Sequence, residues 1–138
     1  MFVDASAIVA ILGSEPGSEE LEKQLAAAGG PFFVSPLVRF EAVIALARLK
    51  ATNIKPSPDL IRQASAAVDA FVEDLGAQEI AISPEIGRGA IDAGARYGKT
   101  VGHAADLNFG DCFAYACARA LRIGLVYKGD DFARTDLA

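Results

Sequence analysis

Residues 107–132, LNFGDCFAYACARALRIGLVYKGDDF, constrain the fold of this chain more than any other stretch. Asp111 stands near the start of a helix whose apolar positions Phe113, Ala114, Ala118 and Leu121 recur at helical spacing. Arg119, Arg122 and Gly124 supply a C-terminal stop. The short apolar run Leu125-Val126-Tyr127 reads as a buried strand, and Lys128-Gly129-Asp130-Asp131 turns away from its end. A strand that runs back along the helix feeding it brings Asp111 and the Asp130/Asp131 pair to the same end of the molecule.

The N-terminus adds a carboxylate to that end. Met1-Phe2-Val3 is a minimal strand with Asp4 at its carboxyl end, followed by Ala5-Ser6 and an apolar helical segment over 7–12. In open α/β sheets, ligand-binding groups lie outside the carboxyl ends of the strands. Glu41 offers a further acid, early in the helix that follows the strand Phe32-Phe33-Val34. Like charges at close range raise one another's pKa values, so acids gathered at one edge call for a cation.

The remaining chain alternates strands and helices. Residues 14–28 read as a helix with acids in its first turn, where the helix dipole favours them. Gly29-Gly30-Pro31 ends it, and Ser35-Pro36 opens a helix over 36–51. An Asn- and Pro-rich turn over 53–58 leads to a helix over 59–75 that Gly76 closes. Gln78-Glu79-Ile80-Ala81 is a short strand, and Ser83-Pro84-Glu85 begins a helix that ends near Tyr97-Gly98. The alternation predicts an α/β fold with a parallel sheet covered by helices on both faces. No repeat, low-complexity tract or second domain interrupts it, so residues 1–138 are expected to form a single domain.

With 138 residues and 52% hydrophobic composition, the chain has enough apolar material for a real core. No run of about 18 uninterrupted apolar residues indicates a spanning helix, so no membrane association is expected. The N-terminus lacks a basic region ahead of its first apolar run, and Asp4 interrupts that run. Both features argue against a signal peptide and for a cytoplasmic protein. Cys112 and Cys117 lie about 140° apart around one helix and form no CxxC motif; they read as core thiols.

The net charge of −5 argues against a polyanionic ligand at first sight. Its distribution softens that argument. Glu15, Glu19, Glu20 and Glu22 form one acidic cluster and Asp69, Glu73, Asp74, Glu79 and Glu85 another, both outside the candidate edge. Arg39, Arg48, Lys50 and Lys55 lie beside Glu41 in sequence, and Arg119, Arg122 and Lys128 flank the organising stretch. Local cations can hold phosphate while remote acids set the overall charge.

Asp4-Ala-Ser, the helical Glu41, LNFGDCFAYA around Asp111 and YKGDDFARTD at the end resemble the PIN-domain ribonucleases, and within them the VapC toxins of bacterial toxin–antitoxin pairs. The resemblance covers nearly the whole chain with its segments in the family's order. It implies a PIN-like three-layer α/β/α fold and a metal-dependent endoribonuclease. The implied catalytic acids are Asp4, Glu41 and Asp111, with Asp130 or Asp131 as the fourth, and Asp4 and Asp111 hold the metal. The implied partners are RNA, a VapB-type antitoxin and a second copy of the chain in a homodimer. Residues 101–106 match no motif.

The chemistry fits that reading independently. Mg²⁺ and Mn²⁺ take oxygen ligands, and Mg²⁺ keeps several waters while using one or two carboxylates. Such a cation activates water and stabilises charge on phosphoryl oxygens, so no nucleophilic side chain is required. None is evident, because a single histidine, His103, cannot complete a Ser-His-Asp set with this pattern. Ser6 is either a hydrogen-bonding support for Asp4 or the N-cap of the first helix. Glu41 and Asp111 taken alone would be acids serving a helix dipole, and Asp130/Asp131 a turn-forming pair. Phe113 and Tyr115 read as packing residues rather than a base-stacking platform, and His103 as a solvated loop residue.

Two other classes compete. A phospho-acceptor receiver module wants adjacent acids after its first strand and an acid after its third; Ala5 and Ser83 stand there instead. A catalytically silent PIN-like binding protein would not need all the acids that this chain retains.

Overall fold

The computed structural model describes residues 1–138. Four two-residue strands form one all-parallel sheet in the order β3-β2-β1-β4: β1 (Phe2–Val3), β2 (Phe33–Val34), β3 (Gln78–Glu79) and β4 (Leu125–Val126). Phe2 pairs with Phe33 on one side and Leu125 on the other, and Val3 pairs with Val126. Both residues of β1 and both of β4 are buried, as expected of parallel strands covered on each face.

Six helices flank the sheet: α1 (Ala5–Leu12), α2 (Ser18–Ala28), α3 (Pro36–Ala51), α4 (Pro58–Leu75), α5 (Pro84–Tyr97) and α6 (Phe109–Leu121). Their starts follow from local chemistry. Ser35, Ser57 and Ser83 cap α3, α4 and α5, each hydroxyl accepting the backbone N–H three residues on, and each is followed by proline in the first turn. The start of α2 differs from the sequence reading. It begins at Ser18, because Gly17 is the capping residue in a left-handed conformation (φ 90°). The stop of α6 also differs. Arg122, not a glycine, takes the left-handed position (φ 55°) and its N–H closes on Ala118 and Arg119 carbonyls.

The core runs continuously from Phe2 through Val34 and Cys117 to Phe132. α5 and α6 approach closely because Gly89 leaves room for Ala116; a methyl on Gly89 would come to 3.3 Å from the Ala116 methyl. Cys112 and Cys117 are free buried thiols, as read from their spacing. Tyr115 is buried too, its hydroxyl donating to Asp136 at 2.6 Å, so it is a packing residue that ties down the C-terminal segment. No helix is long and apolar enough to cross a membrane.

Strand order positions the site. From β1 the chain leaves toward β2 and β3, and it returns after α5 and α6 to β4 on the opposite side of β1. Adjacent strands whose connections leave in opposite directions open a crevice outside their carboxyl ends. Here the crevice lies beyond β1 and β4, where Asp4 N–H donates to the Val126 carbonyl at 2.9 Å.

Candidate active site: an acidic cleft at the sheet edge

A cleft of about 440 Å³ opens at this crevice, lined by Asp4, Glu41, Asp111 and Asp131 together with Ser6, Asn108, Glu15 and Lys128. Each acid arrives on a different element. Asp4 is the N-cap of α1 in extended conformation (φ −77°, ψ 155°). Its Oδ2 accepts the Ser6 N–H at 3.0 Å and the Ser6 hydroxyl at 2.5 Å. The Ser6 hydroxyl oxygen in turn accepts the Lys128 N–H at 3.0 Å. Ser6 is therefore not the cap of α1; Asp4 is, and Ser6 stitches Asp4 to the loop after β4. One strand end thus fixes the next.

Asp111 is the third residue of α6 and closes a reciprocal cap with Asn108. The Asn108 Oδ1 accepts the Asp111 N–H, and the Asp111 Oδ2 accepts the Asn108 N–H, both at 2.9 Å. This arrangement holds the Asp111 side chain over the helix N-terminus, where the dipole favours an anion. The reading of Asp111 as a dipole-serving acid and its reading as a site acid therefore coexist in one geometry.

Glu41 is the sixth residue of α3, one turn deeper than a first-turn dipole acid would be. It reaches the cleft where α3 meets α6, with its carboxyl group against the backbone of Gly110. Of the C-terminal pair, Asp131 lines the cleft; Asp130 does not, and its carbonyl accepts the Ala133 N–H of the following turn.

Electrostatics follow from this gathering. Asp4 is only 5% exposed, and burial raises its pKa against the pull of its Ser6 bonds, with the Asp131 charge adding to the rise. Glu41 is pushed up to about 7, first by burial and then by Asp4 and Asp111. Asp111 rises to about 6, chiefly by burial; its Asn108 bond opposes the rise and Asp4, Asp131 and Asp106 reinforce it. Carboxyl groups that hold protons near neutrality in a cleft mark a site rather than a solvated surface.

Of the cations flanking these acids in sequence, Lys128 alone lines the cleft, and its ammonium pairs with Glu15 at 2.5 Å. Arg39 turns away to Asp69 and Glu79, and Arg119 lies 3.7 Å from Asp136. His103 is not at the cleft; its Nδ1 accepts the Ala105 N–H and its ring packs edge-on against Tyr97 at 5.2 Å. Sequence reasoning placed Glu15 in a remote acidic cluster and gave Asn108 no role. The Asn108-x-x-Asp111 spacing is the signal that finds the second; nothing local announces the first, whose partner is 113 residues away.

Does the donor set suit a hard divalent cation? The donors are carboxylate oxygens with neutral oxygens beside them, the chemistry such ions select. The acids share the cleft without three of them converging closely enough to hold one metal ion together. Mg²⁺ keeps most of its own waters and needs only one or two carboxylates, so the pair Asp4 and Asp111 meets its chemical demand.

A parallel sheet with desolvated carboxylates gathered beyond its central strands defines an α/β protein built around an acidic site. The sequence matches the PIN domain over residues 1–137. It is 55% identical to a VapC ribonuclease of Rhizobium meliloti (strain 1021), over 99% of this chain and 98% of that one. It is 34% identical to ribonuclease VapC42 of Mycobacterium tuberculosis, over 99% of this chain and 96% of the relative. A chain of a toxin–antitoxin complex from Klebsiella pneumoniae shares the fold with a TM-score of 0.63 at 14% identity, covering 99% of this chain and 92% of that one. This chain belongs to the PIN-domain family.

Proposed function

We propose that the chain, as a single PIN domain acting in the cytoplasm, is a divalent-metal-dependent endoribonuclease and the toxin of a VapBC-type pair. The observation that carries the proposal is the cleft itself: Asp4, Glu41, Asp111 and Asp131 face one space whose single lysine is already engaged by Glu15. Asp4, Glu41 and Asp111, desolvated as they are, favour folding poorly, and a site for a cation and a phosphodiester accounts for them. The names of the VapC relatives support RNA as the substrate class.

In this reading Asp4 and Asp111 hold the ion, Mg²⁺ or Mn²⁺. Bound there, it supplies charge neutralisation for the phosphate and acidifies a water. The residues do the rest. Ser6 fixes Asp4 through its 2.5 Å bond, and the Asn108 backbone N–H, donating to Asp111 Oδ2, fixes Asp111, so both carboxylates meet the ion without a search over rotamers. Glu41 is proposed to take a proton from the attacking water; burial and the Asp4 and Asp111 charges push its carboxyl up to about 7 in the metal-free cleft, and a cation held by those two acids would bring it down into its basic form. Asp131 completes the acidic lining, and Lys128 is proposed as the cation that meets the phosphate. Of the Asp130/Asp131 pair, Asp131 is proposed as the fourth acid, because it is the one that lines the cleft.

The test is cleavage of single-stranded RNA with Mg²⁺ or Mn²⁺, with Asp4→Asn as the control. Activity is expected to vanish with chelator and to fall by at least about a hundredfold in the variant. Cleavage that survives both would overturn the proposal.

The toxin reading also carries partners. A VapB-type antitoxin is proposed to cover the cleft, and a second copy to form a homodimer. The helices α2 and α3 differ as docking surfaces. Leu21 and Leu25 of α2 are buried in the core, whereas α3 presents Phe40 at 65% exposure and Leu49 at 41%. An apolar partner segment is therefore proposed to lie along α3.

A further inference from the structure

We infer that Gly110 is a positioning residue: its missing side chain opens the space in which the Glu41 carboxyl group sits against the first turn of α6. The inference rests on the ribonuclease reading for its kinetic consequences, though not for its geometry. Gly110 is the second residue of α6 and is buried. Its backbone is not left-handed, so no conformational demand explains a glycine there. A helical glycine is less favourable than alanine, and only space remains as its reason.

What occupies that space is specific. A methyl group on Gly110 would overlap Glu41 Oε1, Oε2 and Cδ, all inside the 3.0 Å that real Cβ atoms keep. Its nearest neighbours would thus be the carboxyl group of one side chain from another helix. Gly89 and Gly94, also facing helices, contrast with it: their methyls would meet the apolar Ala116 Cβ at a tight 3.3 Å and the Cys112 sulfur at an ordinary 3.7 Å, neither of them a carboxylate. At Gly110 the obstacle is the far end of a flexible chain. Alanine there would evict the carboxylate and leave α6 in place, because swinging a Glu rotamer is easier than shifting a packed helix. Displacing a reacting group by about 1 Å is enough to slow a reaction by up to about a hundredfold.

The experiment compares Gly110→Ala, Glu41→Ala, the double variant and Gly110→Ala with Glu41→Asp, on an RNA oligonucleotide with Mg²⁺. Gly110→Ala is expected to keep its fold, with an unchanged or raised Tm, and to lose kcat by roughly ten- to a hundredfold with KM within about threefold. In the Glu41→Ala background the alanine at 110 should cost nothing further, and the shorter Asp at 41 should restore at least about threefold of kcat to Gly110→Ala. A crystal structure of Gly110→Ala should show the Glu41 carboxyl moved off the first turn of α6. Wild-type kcat in Gly110→Ala, multiplicative losses in the double variant, or a Glu41 carboxyl unmoved beside a shifted helix would each overturn the inference. Should Gly110→Ala unfold, restored folding in the double variant supports it and persistent unfolding overturns it. Full activity in Glu41→Ala alone would instead sink the role of Glu41 in the functional reading, and the crystal structure would still decide the geometry.

Discussion

Glu41 and Asp111 are carboxyl groups kept partly protonated by their surroundings, at about 7 and 6. An acid whose folded pKa lies above its unfolded value stabilises the fold fully below the unfolded pKa, and that stability is lost as pH rises through the folded one. For Glu41 the window runs from about 4.5 to about 7, and for Asp111 from 3.8 to about 6. The metal-free protein is therefore expected to lose Tm between pH 5 and pH 8, measured with chelator present. Glu41→Gln should flatten that slope and gain about 1 kcal/mol at pH 8, the exposure of the group discounting the full shift. Added Mg²⁺ should raise Tm more at pH 8 than at pH 5, since ions bind the deprotonated acids. A Tm that climbs with pH in the absence of metal would show that these acids are not the desolvated groups described. Asp111→Asn is a subtler case. It removes a repulsive charge, but an amide oxygen can still accept the Asn108 N–H, so folding should change little while cleavage is lost.

Element by element, α6 carries the largest share of the site, and both its ends are informative. Asn108→Ala removes the Asn108 Oδ1 that accepts the Asp111 N–H and keeps the backbone N–H that donates to Asp111 Oδ2, at an expected cost of about 1 kcal/mol in stability. Loosening the first turn of α6 that carries Asp111 should lower cleavage as well, in contrast to Ser57→Ala at the start of α4, which should cost similar stability and leave activity intact. At the other end, Arg122 holds a left-handed conformation that favours glycine. Arg122→Gly is expected to raise stability by roughly 0.5 kcal/mol, read as a higher midpoint in chemical denaturation. The helices themselves were legible because Ser-Pro starts and apolar spacing are local signals. The position of Arg122 was not: Gly124 offered itself as the stop, but Gly124 is needed where Met1 packs, and a methyl there would come to 2.8 Å from the Met1 sulfur. The strand Gln78–Glu79 was faint for a similar reason, being exposed and identifiable only by its pairing with Phe33 and Val34.

At the scale of the whole molecule, the edge of the sheet could be read from sequence because strand ends and acids are both visible there, and Asp4, Glu41, Asp111 and Asp131 do share one cleft. What could not be read were the long-range pairings: Lys128 with Glu15, Tyr115 with Asp136, and Glu41 over Gly110. The first of these bears on the last prediction. A cleft rich in acids, with its lysine neutralised by Glu15, is a strong receptor for a cationic side chain as well as for a metal ion. An antitoxin segment laid along α3 past Phe40 would bring an arginine or lysine to Asp4, Glu41 or Asp111, in competition with Mg²⁺ for the same oxygens. Co-expression with the product of the adjacent gene should yield an inhibited complex. Raising Mg²⁺ should relieve that inhibition, and replacing the inserted basic residue of the partner by alanine should abolish the Mg²⁺ dependence while the apolar contact on α3 still holds the complex together. Phe40→Ala should do the reverse, weakening the complex by about 2 kcal/mol or more with cleavage by the free chain unchanged. An inhibitory complex indifferent to every basic residue of the partner would exclude displacement as the mode of inhibition. A chain that is harmless when expressed alone and copurifies with nothing would exclude the toxin reading as a whole.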